Sequence, residues 1–131
     1  MTIKIGINGL GRIGRMLTRA IIESKNNNIE IKHINNRSSS EVGCSLLKYD
    51  SIHGKFNASL SYNDNNLIIN KKKISYSQET DIKNIRWKNF DVDYVFECTG
   101  KFNSKDKLMA HIKNGAKKVV VSAPCKNADK T

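Results

Sequence analysis

Proline occurs once in the 131 residues, at Pro124, and glycine only eight times, which excludes collagen-like and proline-rich extended chains. No run of about 18 apolar residues is present to cross a bilayer as a helix. The N-terminus has no basic segment leading into an apolar stretch and a small-residue cleavage site, so no secretory signal is expected and the default compartment is the cytoplasm. Cysteine is scarce: Cys44, Cys98 and Cys125 are odd in number, widely spaced and without a C-x-x-C pair or a His at zinc-ligand spacing. That pattern indicates reduced thiols, with neither a disulfide framework nor a metal site. Acidic residues are in deficit, 12 against 23 Lys and Arg, for a net charge of +11. Such an excess can mark a nucleic-acid binder, but the runs Lys71-Lys72-Lys73 and Lys117-Lys118 lack the Arg forks and aromatic platforms of one. They read as solvated surface, and neither nucleic acid nor membrane is expected as a partner.

What is present is periodicity of two kinds. Lys4 to Asn8 alternates like a strand and stops at Gly9-Leu10-Gly11-Arg12-Ile13-Gly14. Ile13, Leu17, Ala20 and Ile21 then share one helical face, with Arg12, Arg15 and Arg19 off it, and this helix is expected to end near Ser24. Ile29 to Ile34 alternates again, completing a βαβ unit. Serines 38 to 40 cap a predicted second helix with Val42, Leu46 and Tyr49 as its apolar face. Between residues 56 and 78, short apolar runs separated by polar turns at 63–66 and 70–73 predict antiparallel hairpins. Val92 to Cys98 predicts a strand, Ser104 caps a helix through Leu108 and Ile112 that Asn114-Gly115 ends, and Val119 to Val121 predicts the next strand. The length suits one domain, and no internal repeat or linker is visible. The expected class is α/β, a Rossmann-type doubly wound and mainly parallel sheet with an antiparallel hairpin insertion.

A lone G-x-G-x-x-G is a weak signal, but here it follows a predicted strand and opens a predicted helix, as dinucleotide binding requires. Gly9 would permit the tight turn, Gly11 would let the backbone approach a pyrophosphate, and Gly14 would let helix and strand pack closely. The free N–H groups of Arg12 and Ile13 would face the phosphates.

Four segments in order carry a more specific signal. Ile5-Gly6-Ile7-Asn8-Gly9-Leu10-Gly11-Arg12-Ile13-Gly14-Arg15 resembles the opening of phosphorylating glyceraldehyde-3-phosphate dehydrogenases. Lys48-Tyr49-Asp50-Ser51-Ile52-His53-Gly54-Lys55-Phe56 is similar to that family's K-Y-D-S-x-H-G-x-F run. Glu97-Cys98-Thr99-Gly100, and Gly115 to Val120 with Ser122-Ala123-Pro124, are similarly placed. The resemblance covers the whole chain. It implies a coenzyme site with Asn8, Arg12 and Ile13 at the pyrophosphate, Asn36 near the adenine ribose, and Thr99, Gly100 and Ser122 on the nicotinamide side. It also implies a homo-oligomer, usually a tetramer. Thr80 stands where the family commonly has Arg in Q-E-R-D.

The family's S-x-x-C-T-T-N nucleophile motif is not found in these residues, nor are its His base and substrate-phosphate ligands. The resemblance therefore implies that residues 1–131 form the N-terminal NAD(P)-binding domain, with the sheet incomplete at its C-terminus and the catalytic domain absent, inactive alone. Cys98 and Cys125 lack the flanking sequence and partner His of an activated thiolate, His53 is expected to be structural, and His33 and His111 to be ordinary satisfied or solvated histidines. Erythrose-4-phosphate dehydrogenase shares the same motifs, and a stand-alone nucleotide- or RNA-binding module is the alternative outside enzymes. Where an NAD-selective site has Asp or Glu at the end of its second strand, this chain has Asn36, followed by Arg37, Ser38 and Ser39. An uncharged amide beside a guanidinium leads us to expect NADP to be tolerated alongside NAD.

Overall fold

The computed structural model describes residues 2–24, 28–50, 54–55, 59–99 and 105–121, with the backbone alone at 49, 50, 54, 55 and 105–107. Strand β1 (Ile3–Asn8) leads into helix α1 (Arg12–Ser24), then β2 (Ile29–Asn35) and helix α2 (Ser40–Lys48). A two-residue ladder pairs β3 (Tyr49–Asp50) with β4 (Gly54–Lys55), antiparallel. A meander of β5 (Leu60–Asn63), β6 (Asn66–Ile69) and β7 (Lys72–Ser77) follows, then two 3-10 turns at Ile82–Asn84 and Trp87–Phe90, β8 (Tyr94–Glu97), α3 (Lys105–Lys113) and β9 (Lys118–Val121).

The main sheet has seven strands in the order β5-β6-β7-β2-β1-β8-β9. β7, β2, β1, β8 and β9 run parallel, and β6 pairs antiparallel with both β5 and β7. This is the expected doubly wound sheet with its hairpin insertion. The turn from β6 to β7 is Asn70-Lys71, both at positive φ (53° and 71°), the two-residue geometry whose twist suits a hairpin. At the other turn Asn63 Oδ1 accepts from the Asn65 N–H and the Asn66 amide. From β1 the chain winds first towards β2 and β7 and later, on β1's other side, to β8 and β9, so strand order reverses between β1 and β8. The carboxyl ends of such strands are where open α/β sheets bind ligands.

Two apolar clusters flank this centre. One joins Ile5, Ile7, Leu10, Ile34 and Leu47 with the hairpin's Leu67, Ile69, Ile74 and Tyr76. The other is built on Trp87, with Ile85, Val92, Val95 and Ala116. Trp87 fits because Gly6 has no side chain: a Cβ there would lie 2.4 Å from the indole.

Both helix faces depart from the periodicity reading. In α1, Ile13 is 41% exposed and Ala20 is exposed too, while Gly14, Thr18 and Arg19 are buried and Leu17, Ile21 and Ile22 pack on the core. The stripe is displaced by about one residue because Gly14 is pressed against the Gly9 carbonyl, which sets the rotation of the helix on the sheet. Arg19, placed off the apolar face by the helical wheel, is only 5% exposed. In α2, Val42 is exposed and Tyr49 already belongs to β3; Gly43, Cys44 and Leu47 form the buried face, with Gly43 against the Tyr76 ring. Ser39 caps this helix, its hydroxyl accepting from the Val42 N–H at 3.3 Å. Helix α3 ends in a Schellman motif, Ala116 N–H to the His111 carbonyl and Gly115 N–H to that of Ile112, with Gly115 at φ +114°. Its expected cap, Ser104, lies outside the described residues.

Candidate functional site at the carboxyl edge of the sheet

The turn after β1 is built by its glycines. Gly9 adopts φ +101°, the left-handed region that only glycine enters freely, and a Cβ there would meet Thr99 Cγ2 at 2.8 Å. Its N–H is held by the Asn35 carbonyl at 2.7 Å, and the Asn8 carbonyl accepts from the Cys98 N–H at 2.8 Å, so the turn is tied to the strands on both sides. Gly14 permits the closest approach of all: a Cβ there would lie 1.9 Å from the Gly9 carbonyl oxygen. Gly11 differs, since the nearest protein atom to its would-be Cβ is 3.7 Å away and the residue is exposed. The space over Gly11 is left open at the start of α1. There the first-turn N–H groups of Arg12, Ile13 and Gly14 have no intrahelical acceptor and the helix dipole favours an anion. An open backbone next to free donors fits a diphosphate.

Beside this turn a cavity of about 150 Å³ is lined by residues including Asn8, Asn35, Arg37, Thr80 and Thr99. Its floor is a buried amide network. The Asn35 amide donates to Asn8 Oδ1 at 2.8 Å and to the Glu79 carbonyl at 2.9 Å, and Asn35 Oδ1 accepts from the Glu79 N–H and the Ser77 hydroxyl. Ser77, having donated its hydrogen, accepts from His33 Nε2 at 2.8 Å. His33 is therefore the Nε2-protonated tautomer, stacked on Phe90 with ring centroids 3.7 Å apart, and its Nδ1 has no partner. Burial pushes its pKa down to about 3, because the imidazolium would lose its hydration there.

On the β2 side, Asn36 Oδ1 accepts from the Leu10 N–H at 3.1 Å, bracing the glycine turn. Asn36 also hydrogen-bonds the Tyr76 hydroxyl, which in turn donates to the Ser38 carbonyl at 2.6 Å. Burial raises the Tyr76 pKa to about 12, and the Asn36 contact opposes the rise.

Asn8, Arg37 and Thr99 thus line one cavity, with Gly9, Gly11, Arg12, Ile13 and Gly14 in the adjoining turn and Asn36 bonded to it. Gly100 and Ser122 lie outside the described residues, as do His53 and Cys125. Cys98 is buried, and desolvation with the neighbouring Glu97 charge pushes its pKa up to about 12, a protonated and unreactive thiol. His33 and His111 are both fully buried, so neither is a solvated histidine. Lys72 is exposed and pairs with Glu30 at 2.7 Å, and Lys117 is exposed near Asp93 at 3.4 Å. Sequence reasoning missed Asn35, Trp87 and the burial of Glu97. The signal for the last was there: an acid set in the otherwise apolar end of a buried strand. Among the described residues no helix is long and apolar enough to cross a membrane.

The sequence of residues 3–105 matches the family model described as glyceraldehyde 3-phosphate dehydrogenase, NAD binding domain. The whole chain is 45% identical over 131 residues to the glyceraldehyde-3-phosphate dehydrogenase of Geobacillus stearothermophilus, of which it covers 38%. Over 128 residues, 98% of the chain, it is 43% identical to that of Thermotoga maritima, again covering 38%. With that of Mycoplasma pneumoniae it shares 43% identity over 125 residues, 95% of the chain and 36% of the relative. The chain thus spans little more than a third of the length of these relatives.

Proposed function

Since the chain belongs to the glyceraldehyde-3-phosphate dehydrogenase family, matched through its NAD-binding domain, we propose that its 131 residues act as one coenzyme-binding domain of a phosphorylating enzyme of that family. The observation that carries this reading is the contrast between two glycines: Gly14 has no room for a Cβ, while Gly11 leaves its space open toward the start of α1. Close packing requires the first; the second leaves room for an incoming ligand. In this reading the N–H groups of Arg12 and Ile13, with Asn8, hold the pyrophosphate. Asn36 and Arg37 meet the adenine ribose, and Thr99, Gly100 and Ser122 line the nicotinamide side. Bound there, the nicotinamide ring serves as hydride acceptor. The chain's own part is to orient it and to keep acceptors and donors aligned beneath it.

The whole enzyme would oxidise glyceraldehyde 3-phosphate with inorganic phosphate to 1,3-bisphosphoglycerate, in the cytoplasm and as a homo-oligomer. Its nucleophile would come from a cysteine other than Cys98, whose buried, protonated thiol is unsuited to the task. The test is calorimetric titration of the chain with NAD, repeated with Gly11→Val. We expect NAD to bind the parent and binding to be lost in the variant while its melting temperature is retained, because the new side chain fills ligand space rather than protein space. A folded parent chain that takes up no NAD refutes the reading, as does a Gly11→Val variant that binds as the parent does.

A further inference from the structure

Between β2 and α2, residues 36–39 are held one after another by residues 76–78 at the end of β7. The Asn36 N–H donates to the Ser77 carbonyl at 3.1 Å, the Arg37 carbonyl accepts from the Gln78 amide at 3.3 Å, and the Ser38 and Ser39 carbonyls both accept from the Tyr76 hydroxyl, at 2.6 and 3.2 Å. Tyr76 is only 4% exposed, and a buried hydroxyl has to find partners. Its seat is made on α2. A Cβ at Gly43 would lie 3.0 Å from the Tyr76 hydroxyl oxygen and 3.1 Å from Cε2, so the ring would have to give by a few tenths of an ångström. Glycine weakens a helix interior relative to alanine; here its missing side chain leaves the space that the hydroxyl occupies.

The direction of each bond follows from its ends. Carbonyls only accept, so the one hydroxyl hydrogen of Tyr76 points to Ser38 and Ser39, and its oxygen accepts from Asn36, the contact that opposes the rise in its pKa. The Leu10 N–H only donates, which fixes Asn36 Oδ1 on the glycine turn at 3.1 Å and turns the Asn36 amide toward Tyr76. The two constraints agree. One amide hydrogen is committed to the hydroxyl, and the other is the donor that Asn36 holds out to a ribose. Tyr76 thereby joins the turn after β1, reached through Asn36 and Leu10, to the end of β2 and to the entry of α2, beside Arg37 at the cavity wall.

We propose that Tyr76 is a positioning residue for the dinucleotide coenzyme, its hydroxyl fixing residues 36–39 so that the Asn36 amide is aimed at the 2′-hydroxyl of the adenine ribose. This rests on the coenzyme-binding reading above. The hairpin insertion then does more than extend the sheet: its last strand sets the shape of the segment that meets the ribose. Tyr76 acts through that segment and not by touching the coenzyme.

The experiment is calorimetric titration of the full 131-residue chain with NAD and, separately, with the NAD analogue that lacks the 2′-hydroxyl of the adenine ribose. Tyr76→Phe keeps the ring on Gly43 and removes only the hydroxyl. The parent is expected to bind NAD at least about fivefold more tightly than the analogue, the equivalent of one hydrogen bond, and Tyr76→Phe to bring the two within about twofold of each other. The loss falls on NAD and spares the analogue. A merely structural role would weaken both ligands by one factor, so a Tyr76→Phe chain that retains the parent's ratio overturns the proposal. So does a parent that binds the two alike. Should Tyr76→Phe not fold, Gly43→Ala displaces the hydroxyl from the helix side; there the ratio is expected to fall by at least about twofold, and an unchanged ratio overturns the proposal as well. A parent chain that takes up neither ligand removes the coenzyme reading and this role together; one that takes up NAD and prefers it to the analogue, while the variants keep its ratio, removes only the role of Tyr76.

Discussion

Replacing Asn36 by Asp is expected to move coenzyme selectivity toward NAD. In the native chain Asn36 Oδ1 is occupied by the Leu10 N–H at 3.1 Å, and the residue also bonds the Tyr76 hydroxyl. What remains for a ribose is an amide donor, where an acidic residue would present a second, charged acceptor. Arg37, exposed one residue on and lining the same cavity, supplies a guanidinium within the same neighbourhood. An Asp can keep the Leu10 bond with one oxygen and accept a ribose hydroxyl with the other, a gain for NAD of about 1.5–3 kcal/mol. Its charge at the same time opposes a 2′-phosphate. The ratio of the NADP to the NAD dissociation constant should therefore rise by about 10- to 150-fold. Titration calorimetry with both coenzymes, on the parent, on Asn36→Asp and on Arg37→Ala, measures it. Arg37→Ala should weaken NADP and leave NAD nearly unchanged. If the parent already binds NAD more than about a hundredfold tighter than NADP, a gap of about 2.8 kcal/mol, or if Asn36→Asp leaves the ratio where it was, the reasoning fails.

Acid should destabilise the fold through His33. Its folded pKa of about 3 lies below the ordinary 6.5, so the unfolded chain binds the extra proton, and His33's contribution is complete above pH 6.5 and lost progressively as pH falls toward 3. The slope is at most about 1.4 kcal/mol per pH unit. Urea titrations from pH 7 to 4 should show it and His33→Gln should flatten it; an equal slope in the variant would refute the assignment. Gly14→Ala should cost about 3 kcal/mol or more, since the Cβ would lie 1.9 Å from a backbone oxygen, and a melting temperature unchanged within about 2 °C would contradict that contact. The 131-residue polypeptide assayed by itself is expected to reduce no NAD or NADP with glyceraldehyde 3-phosphate and phosphate, because Cys98 is protonated and the family's S-x-x-C-T-T-N nucleophile motif is not found in these residues. Turnover by purified material free of other dehydrogenases would count against it.

Much of the fold could be read without coordinates because its signals are local. Alternation over Ile29–Ile34, the glycine turn between a strand and a helix, and the polar turns at 63–66 and 70–73 each depend on residues a few positions apart, and each element formed where expected. The same holds for the family, whose motifs are contiguous. What depended on distant partners could not be read. Helical periodicity marks a stripe but not the rotation at which it docks. In α1 that rotation is decided by Gly14 touching Gly9, which leaves Ile13 outside and draws Arg19 in. In α2 it is decided by Gly43 meeting Tyr76, a residue far along the chain. The 3-10 turn carrying Trp87 has no periodic pattern, and its seat exists only because Gly6 is empty. Asn35 and His111 look unremarkable in sequence, and nothing in the sequence pairs them with Asn8 or Glu97. The Asn8 amide and His111 Nε2 donate to Glu97, and the Asn35 amide to Asn8, a meeting that needs the parallel pairing of β1 with β2 and β8, which puts Asn8 opposite Asn35 and Glu97 in register. A buried carboxylate is tolerable only where several donors meet it, and that meeting is a property of the assembled sheet rather than of any segment of the chain.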